Sequence, residues 1–447
     1  ESRFIVEPMV LLNSDAYDFC PTIYGKDQDE MVFASSRESS TGTDEDPITG
    51  QAFMDLFRSE QDKKGRWSEP EPLGNTVCTE HNEGSACFDS NGKTLFFTRC
   101  MEMDGSNLAC DIYFAKKQGN GFGASMALGL VNRDENDSSQ VGHPALSPDD
   151  QYLIFSSDLP GGLGGKDLWY VKAEDGSFAG AAPQNLGASI NTPGDEMFPA
   201  FRDNGDLYWS TNGRDGLGSL DLWKAEVREG ELAFAEPKVL PFPLNSSGDD
   251  FAISFKADSD EGMFTSNRVG GKGKDDLYSF RLPPLEFCYQ AFIYDYDTGM
   301  PLSGATVTLE GEDGSSNAYT TDAEGELALC DGQIGQRMTF NVDVAVEGYI
   351  GTGDLLTTEG LTESTTLARE YLLKEIVLNK EYDMPTVLYP LGSADLLVDA
   401  SVNSADSLNY LVDLLQRNEN LVIQLEAHTD SRGGAVANKK LSQDRAE

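Results

Sequence analysis

Residues 153–169 read LIFSSDLPGGLGGKDLW, which is an apolar strand, a glycine-rich loop and a second strand that opens with Asp167. Two β-prone runs joined by such a loop predict an antiparallel hairpin. The second strand recurs at spacings of 54 to 56 residues, as Asp55-Leu56-Phe57, Asp111-Ile112-Tyr113, Asp167-Leu168-Trp169, Asp221-Leu222-Trp223 and Asp276-Leu277-Tyr278. The chain therefore contains five structural repeats of one length.

Each repeat has further elements upstream of its hairpin. A short strand begins at equivalent residues, namely Asp18, Glu83, Val141, Glu196 and Asp250. An asparagine recurs before this strand, at Asn13, Asn75, Asn132, Asn191 and Asn245. With a linking strand after the hairpin, each repeat has four strands. Five such units close most readily into a five-bladed β-propeller, which we assign to residues 1–282, because a ring leaves only short sheet edges unpaired.

The N-terminal segment is similar in sequence to the segment that ends the first repeat. Residues 7–13 align with residues 69–75, whereas the fifth unit stops after Phe280 without a linking strand of its own. We therefore expect the segment from Phe4 to Leu12 to pair as the outer strand of the fifth unit. That pairing would close the ring.

The run Ala145-Leu146-Ser147-Pro148-Asp149-Asp150 resembles the repeats of the TolB-related propeller family, whose signature is Ser-Pro-Asp. The resemblance covers about residues 1–282 and implies the propeller fold. It implies little about function, because propellers serve many unrelated activities.

After the propeller the pattern changes. Ala305, Val307 and Leu309 alternate with polar residues, as in a half-buried strand. The run from Asp297 to Val307 resembles the carboxypeptidase regulatory-like domain, an Ig/transthyretin-like β-sandwich that is not catalytic. We assign residues 286–378 to this module, as a spacer or docking domain.

The C-terminal segment, residues 382–447, mixes two periodicities. Apolar residues recur at helical spacing over residues 408–415, and Ser404 could cap that helix. Alternation over residues 421–427 predicts a strand, and a second helix is expected from Ala435. This segment is therefore predicted to be of α/β type.

Two motifs in this segment resemble the OmpA C-terminal family: Glu426-Ala427-His428-Thr429-Asp430, and Leu441-Ser442-Gln443-Asp444-Arg445-Ala446. The resemblance implies that Asp430 and Arg445 clasp the diaminopimelate of the peptidoglycan stem peptide. Diaminopimelate carries an ammonium and a carboxylate on one carbon, so each side chain can make one charge-assisted bond. The remaining residues of the predicted peptidoglycan site are Asn438, Thr429 and His428.

Two features depart from the OmpA pattern. Ala427 stands where the family has glycine. The family's last strand and helix would follow Glu447, so the OmpA-like domain is expected to be truncated.

The order of the three domains resembles the PorE-like family of the Bacteroidetes type IX secretion and gliding machinery. The resemblance implies a periplasmic, outer-membrane-associated scaffold that is not an enzyme and anchors a secretion complex to peptidoglycan. Its expected partners are the peptidoglycan stem peptide and outer-membrane or periplasmic proteins of the type IX secretion machinery, which would dock on the propeller. No cofactor and no metal are expected.

The alternative is a propeller-type glycosidase, or a glycan-binding protein, tethered to the cell wall. A glycosidase needs two suitably spaced carboxylates. The candidates are Asp18, Glu83, Glu196 and Asp250. They share one position in four of the five repeats, whereas an acid and a nucleophile need unequal environments. The repetition therefore favours a structural role.

The composition excludes several classes of partner. The 447 residues include 33 Lys and Arg against 76 Asp and Glu, a formal charge of −43. Such a charge argues against binding to nucleic acid or to anionic lipid. No apolar run reaches the roughly 18 residues that a membrane-spanning helix needs.

Seven cysteines without a C-x-x-C pair predict disulfides in an oxidising compartment. Cys100 and Cys110 face each other across one hairpin, and Cys288 and Cys330 both lie in the sandwich. These are the two candidate bridges. His143 has no partner at metal-ligand spacing and is expected to be structural.

Overall fold

The computed structural model describes residues 2–41, 53–102, 108–131, 139–230, 232–377, 385–399, 403–418, 421–430 and 432–447. The chain divides into two compact units, Glu1–Pro283 and Pro284–Glu447. Both are mainly β, and the helices lie near the C-terminus.

The first unit contains one N-terminal strand and, in its described residues, five sheets. The N-terminal strand is β1 (Ile5–Pro8). The first sheet holds β2 (Asp18–Tyr24), β3 (Glu30–Ser35), β4 (Asp55–Glu60) and β5 (Glu71–Pro72). The second holds β6 (Asn82–Phe88), β7 (Thr94–Glu102), β8 (Leu108–Gln118), β9 (Gly121–Phe122) and β10 (Met126–Ala127).

The three remaining sheets have the same plan. The third holds β11 (Val141–Leu146), β12 (Tyr152–Ser157), β13 (Asp167–Lys172) and β14 (Gln184–Asn185). The fourth holds β15 (Glu196–Phe201), β16 (Leu207–Thr211), β17 (Asp221–Ala225) and β18 (Lys238–Val239). The fifth holds β19 (Asp250–Phe255), β20 (Glu261–Ser266) and β21 (Asp276–Arg281).

Neighbouring strands in these sheets are antiparallel, and most of them follow one another in sequence; in the second sheet both β9 and β10 pair with β8, and the fifth sheet also departs from sequential order. There β1 pairs with β21, with Ile5 opposite Arg281 and Pro8 opposite Tyr278. The outer strand of the fifth sheet therefore comes from the opposite end of the unit.

The sheets are joined in a cycle around one axis. Their first strands, β2, β6, β11, β15 and β19, contact one another in that order, and β19 contacts β2. Backbone bonds run from the start of a first strand to the residue before the third strand of the preceding sheet, as from Glu196 to Lys166 (2.6 Å) and from Asp250 to Leu220 (2.8 Å). The bond from Asp18 to the carbonyl oxygen of Asp275 (2.9 Å) links the fifth sheet to the first. This arrangement is typical of a β-propeller.

The second strand of each sheet is apolar on both faces because it packs against both neighbouring sheets. In β3, Val32 and Ala34 pack toward the second sheet, whereas Phe33 packs toward the fifth. In β12, Phe155 packs toward the second sheet and Ile154 toward the fourth. All five side chains are fully buried. A separate hydrophobic core therefore lies at each junction between sheets.

The recurring asparagine fastens a third strand. The side-chain amide of Asn13 accepts the N–H of Leu277 (2.8 Å) and donates to its carbonyl oxygen (3.0 Å). Asn191 and Asn245 make the same paired bonds in the third and fourth sheets. Each amide thus replaces a missing strand neighbour.

The predicted alignment of this asparagine is wrong at Asn75, which is exposed. Cys78 takes the equivalent place, five residues before Glu83, and its Sγ lies 3.4 Å from the carbonyl oxygen of Leu56. Asn132 lies outside the described residues.

Asp275 lies where the fifth sheet meets the first. Burial, followed by the charges of Asp249 and Asp276, raises the pKa of the Asp275 carboxyl to about 6. A carboxyl with a raised folded-state pKa favours folding when protonated, so its contribution is full below about pH 4 and is lost as the pH rises through 6. We expect Asp275→Asn to raise the free energy of unfolding at pH 7.5 by about 1 to 3 kcal/mol and to flatten its pH dependence.

Urea denaturation between pH 4 and pH 8 measures this effect. The matched control is Asp215→Asn, at an exposed position in the hairpin of the fourth sheet. Equal pH dependence in the wild type and Asp275→Asn would show that Asp275 is not destabilising when charged.

The second unit contains a two-sheet sandwich. One sheet holds β22 (Phe287–Asp295) between β25 (Glu326–Ile334) and β28 (Thr365–Leu373). The other runs β24 (Ser316–Thr320), β23 (Thr306–Gly311), β26 (Thr339–Ala345) and β27 (Thr352–Thr357). Ala305, Val307 and Leu309 face one core with residues of both sheets. The hydroxyl groups of Tyr289 and Tyr371 lie 2.9 Å apart within it, which satisfies both when buried.

Two helices follow the sandwich: α1 (Ser404–Arg417) and α2 (Ala435–Ala446). The predicted cap is off by one residue, because Asn403 caps α1 and accepts the N–H of Ala405. Ser404 is buried instead, and its Oγ bonds to the backbone of Leu388.

The predicted strand over residues 421–427 is wrong. These residues are not in a strand, and Val422 is 94% exposed. A strand needs a hydrogen-bonded neighbour, and the described part of the chain places none beside it. Residues 378–384, where the predicted boundary of the third domain falls, lie outside the described residues.

Candidate functional site

The first strand of every sheet in the first unit is bulged at the same place. A non-glycine residue there has positive φ: Cys20 (55°), Ser85 (32°), His143 (53°), Phe198 (52°) and Ala252 (54°). Strand pairing is interrupted at each of them. Bulges bend a strand and redirect its side chains, and positive φ persists only where surrounding structure enforces it. All five residues line one cavity on the axis.

The cavity has a volume of about 670 Å³. First strands form its walls, and the loops that lead from first to second strands form its mouth. This volume is in the range of known small-molecule sites, roughly 300 to 1,000 Å³.

The cavity wall is asymmetric although the backbone is repeated. The rings of His143 and Phe198 are stacked, with centroids 3.9 Å apart and planes at 12°. Phe198 also lies 4.8 Å from the ring of Phe251. The neighbouring part of the wall has small residues, where the Cys20 Sγ and Ser85 Oγ lie 3.1 Å apart. Aromatic rings therefore lie beside short polar side chains.

The Ser-Pro-Asp motif shapes one part of the mouth. The Ser147 hydroxyl donates to Asp149 (2.6 Å) and accepts the N–H of Tyr152 (2.9 Å), which closes a tight turn. Asp150 follows with a φ of 56°, and its carboxylate accepts the Ser90 hydroxyl from the second sheet (2.6 Å). The motif thus ties the mouth loops of two sheets together.

Charged groups at the mouth are mainly acidic. Asp89, Asp150 and Asp203 line the cavity together with Lys26 and Arg202. The carboxylates also accept backbone N–H groups, which holds them in place. Carboxylates and hydroxyls can accept bonds from ligand hydroxyl groups.

The structure does not bring the four predicted glycosidase carboxylates to this cavity. Asp18, Glu83, Glu196 and Asp250 are fully buried and do not line it. Each accepts the N–H and hydroxyl of the Ser or Thr four residues before it, at Ser14, Thr79, Thr192 and Ser246. They are structural groups that close the turn before each first strand.

Arginines complete this buried arrangement in three of the sheets. Asp18 pairs with Arg37, Glu83 with Arg99 (2.6 Å) and Asp250 with Arg268 (2.6 Å). Burial is the largest effect on Glu83 and raises the pKa of its carboxyl to about 7. An uncompensated charge at such a site would be costly.

Two disulfides are present, Cys100–Cys110 and Cys288–Cys330, which are the two pairs that the sequence spacing selects. The free thiols belong to Cys20, Cys78 and Cys87. Burial raises the pKa of each of these thiols, so none is a thiolate nucleophile at neutral pH.

The predicted peptidoglycan residues lie around the start and end of α2. The Asn438 amide donates to the carbonyl oxygens of Asp430 (3.1 Å) and Arg432 (3.2 Å), which fixes the preceding loop to the helix. Asp430 pairs with Arg432 rather than Arg445 among the described ion pairs. Thr429 is half-buried and His428 is 84% exposed at its side chain.

Arg445 has its own environment in the second unit. Its guanidinium lies 4.7 Å from the centre of the Tyr389 ring and donates to the carbonyl oxygens of Ser393 (2.9 Å) and Pro390 (3.4 Å). The structure thus places Asp430 and Arg445 at opposite ends of one helix without direct contact.

Within the described ranges, no group of three or more His, Cys, Asp or Glu residues is placed to hold a metal ion. No described helix is both long enough and apolar enough to cross a membrane.

The sequence did not identify His143 and Phe198 as a site. Both occupy the position two residues after the first-strand acid or its equivalent, which reads Cys, Ser, His, Phe and Ala through the repeats. Comparison of this one position across the five repeats would have identified residues of the cavity wall.

No family model matches the sequence, and no curated protein matches it either. Solved structures similar to it include TolB from Acinetobacter baumannii, at 13% identity and a TM-score of 0.33, over 70% of this chain and 66% of TolB. The match therefore spans slightly less than two thirds of TolB, which is a β-propeller.

Two glycoside hydrolases are also similar. One is the α-L-arabinofuranosidase from Lactobacillus brevis, at 10% identity and a TM-score of 0.40, over 65% of this chain and 94% of the enzyme. The other is the β-xylosidase/α-arabinofuranosidase CoXyl43 from a compost metagenome. It is 11% identical with a TM-score of 0.38, over 61% of this chain and 92% of the enzyme. These likenesses concern fold type alone.

The prediction that the chain is not an enzyme is wrong, because the solved structures similar to it include glycoside hydrolases.

Proposed function

We propose that this chain is a glycan-binding protein of the bacterial cell envelope, and that its axial cavity holds a neutral sugar. The observation that carries this proposal is the asymmetric cavity wall. The stacked rings of His143 and Phe198 lie beside the short polar side chains of Cys20 and Ser85.

The chemistry of this wall suits a sugar. An aromatic ring in the wall can contact the apolar C–H groups of a pyranose ring, and a few fixed polar groups can orient its hydroxyls. The formal charge of −43 disfavours anionic ligands. A neutral, hydroxyl-rich ring is therefore the best-supported ligand class.

Isothermal titration calorimetry tests the proposal. Xylobiose, cellobiose and N,N′-diacetylchitobiose are titrated into the full chain, and at least one is expected to bind with a Kd below about 1 mM. Failure of all three to bind would contradict the proposal. Chromatography of the same samples detects cleavage, in which case Asp89, Asp150 and Asp203 are the cavity carboxylates available to a hydrolase.

A second candidate function is attachment to peptidoglycan through the C-terminal segment. It is favoured by the bonds of Asn438, which hold the Asp430 loop on the helix that carries Arg445. In the proposed complex, Asp430 accepts the ammonium of diaminopimelate, and Arg445 leaves its contacts with Ser393 and Pro390 to bind the carboxylate. Two disulfides support an oxidising compartment, which is the periplasm in this proposal.

Co-sedimentation with purified sacculi tests this attachment. Asp430→Ala and Arg445→Ala are each expected to weaken binding about 10- to 100-fold. Arg445→Lys should restore it only in part, because an ammonium cannot make the forked contact. The control is Lys439→Ala, which removes an exposed charge from the same helix. Equal pelleting of folded wild type and both alanine variants would eliminate the diaminopimelate clasp.

For the architecture we propose a closed, five-bladed propeller, an Ig/transthyretin-like sandwich and an OmpA-like segment. Cyclic contact among five first strands supports the blade number. Docking of type IX secretion proteins on the propeller stays a prediction.

A further inference from the structure

His143 differs chemically from the other four residues that share its position. Its Nδ1 accepts the backbone N–H of Phe198 at 3.4 Å. An imidazole nitrogen that accepts a hydrogen bond carries no proton, so in the neutral ring the proton is on Nε2. Nε2–H is consequently a hydrogen-bond donor.

The ring is neutral at physiological pH. Burial, with the positive charge of Lys166, lowers the pKa of His143 to about 3. His143 therefore presents a dipolar donor rather than a charge, which suits an uncharged ligand oxygen.

The donor has no protein acceptor among the described residues. Among the described residues, His143 makes two hydrogen bonds with side-chain atoms. Its backbone N–H donates to Thr98 Oγ1 (2.8 Å), and its Nδ1 accepts the N–H of Phe198. The residue nevertheless lines the axial cavity. The Nε2 atom of His143 is absent from the buried, unpartnered side-chain atoms of the described residues, so this donor keeps access to the cavity, where a ligand oxygen can accept from it.

Stacking fixes the direction of this donor. Phe198 lies parallel to the imidazole and is itself packed on Phe251. The strained backbone at both His143 and Phe198 further restricts the ring. The imidazole is thus oriented before any ligand binds, which favours specificity.

We propose that His143 is the specificity-determining residue of the axial cavity, with its Nε2–H donating to one hydroxyl or ring oxygen of the bound sugar. This inference rests on the proposed function and names the group that recognises the ligand. Phe198 acts as a positioning residue for the imidazole.

Two substitutions separate the donor from the ring. His143→Phe keeps a stacked ring and removes the Nε2–H donor together with the Nδ1 acceptor of the Phe198 N–H. Phe198 shows that phenylalanine is accommodated at the equivalent position with nearly the same φ. His143→Gln keeps an N–H donor at similar reach. For the disaccharide that binds the wild type, His143→Phe is expected to weaken binding about 10-fold or more and His143→Gln about 3-fold or less.

Monodeoxy analogues of the same disaccharide identify the partner oxygen. One analogue should bind the wild type about 10-fold more weakly than the parent sugar, yet bind His143→Phe as well as the parent does. This coupling is a readout that a purely structural role would not produce. If His143→Phe fails to fold by circular dichroism, His143→Gln and the wild-type analogue series still decide the matter.

The outcomes distinguish two failures. If the wild type binds no disaccharide, both the proposed function and the assignment of His143 are contradicted. If the wild type binds one but His143→Phe binds it equally, or no deoxy analogue is discriminated, only the assignment of His143 is overturned.

Discussion

Deleting residues 1–12 is expected to lower the melting temperature by at least about 10 °C and to produce oligomers, because it removes the outer strand of the fifth sheet. β1 pairs with β21 through four residues, and the N–H of Met9 extends this contact to Leu277 (2.9 Å). Phe4 packs edge-on against Phe280 at 5.9 Å. Without β1, the edge of β21 would be open to other chains.

The same segment also fills the junction between the fifth and first sheets. Leu12 is 1% exposed and belongs to the hydrophobic cluster there. Truncating one buried leucine costs about 2 to 5 kcal/mol through lost burial and a cavity. Leu12→Ala should therefore reproduce part of the loss.

The neighbouring residue supplies a matched control. Leu11 is 54% exposed, so Leu11→Ala should leave the melting temperature unchanged within about 1 °C. Differential scanning calorimetry and size-exclusion chromatography measure both properties. A deletion variant that melts like the wild type and elutes as the same species would refute ring closure by β1.

Phe198→Ala is expected to weaken sugar binding at least about 10-fold, because aromatic anchors supply a large share of contact energy in small sites. The substitution removes an aromatic ring from the cavity wall, and with it the stack that orients His143, whose ring centroid lies 3.9 Å from that of Phe198. Ala252 has nearly the same φ at the equivalent position, so the backbone should remain bulged. The loss should appear in affinity with little change in melting temperature.

A matched phenylalanine lies away from the cavity. Phe242 is 51% exposed in the connection before the fifth sheet, and Phe242→Ala should leave affinity unchanged. Equal weakening by both substitutions would indicate a general destabilisation instead of a binding role for Phe198.

Features that depend on the spacing of residues along the chain could be predicted from the sequence. The third-strand aspartates recur because Asp167 and Asp276 accept N–H groups of the preceding glycine-rich hairpins. The pairing of the N-terminal segment with the fifth sheet could also be predicted, although Pro8 is equivalent in register to Pro72 and not to Pro70. Cys100 and Cys110 lie directly opposite in β7 and β8, as a short hairpin requires.

Features that depend on backbone geometry or tertiary neighbours could not be predicted. The cavity wall follows from a bulge that is common to five strands, while its side chains differ in every sheet. Asn75 was misaligned because Cys78 makes the equivalent contact with a different atom type. The alternation over residues 421–427 gives a strand pattern, but pattern alone supplies no partner strand.

The repetition of the acidic residues favours a structural role over a catalytic one, and the hydrogen bonds of these residues give the same result. Asp18 and Glu196 have the residue type of a glycosidase carboxylate, and only their bonds to Ser14 and Thr192 reveal that they close turns. His143 was considered structural because its partner, Phe198, lies 55 residues away in the next sheet.

A crystal structure of the chain soaked with the disaccharide that binds best would show whether the axial cavity holds the sugar. We predict electron density for a sugar ring in the axial cavity, in contact with the His143 ring and with an oxygen about 2.7 to 3.2 Å from its Nε2. Density for the sugar at another surface, with the axial cavity holding only solvent, would contradict it.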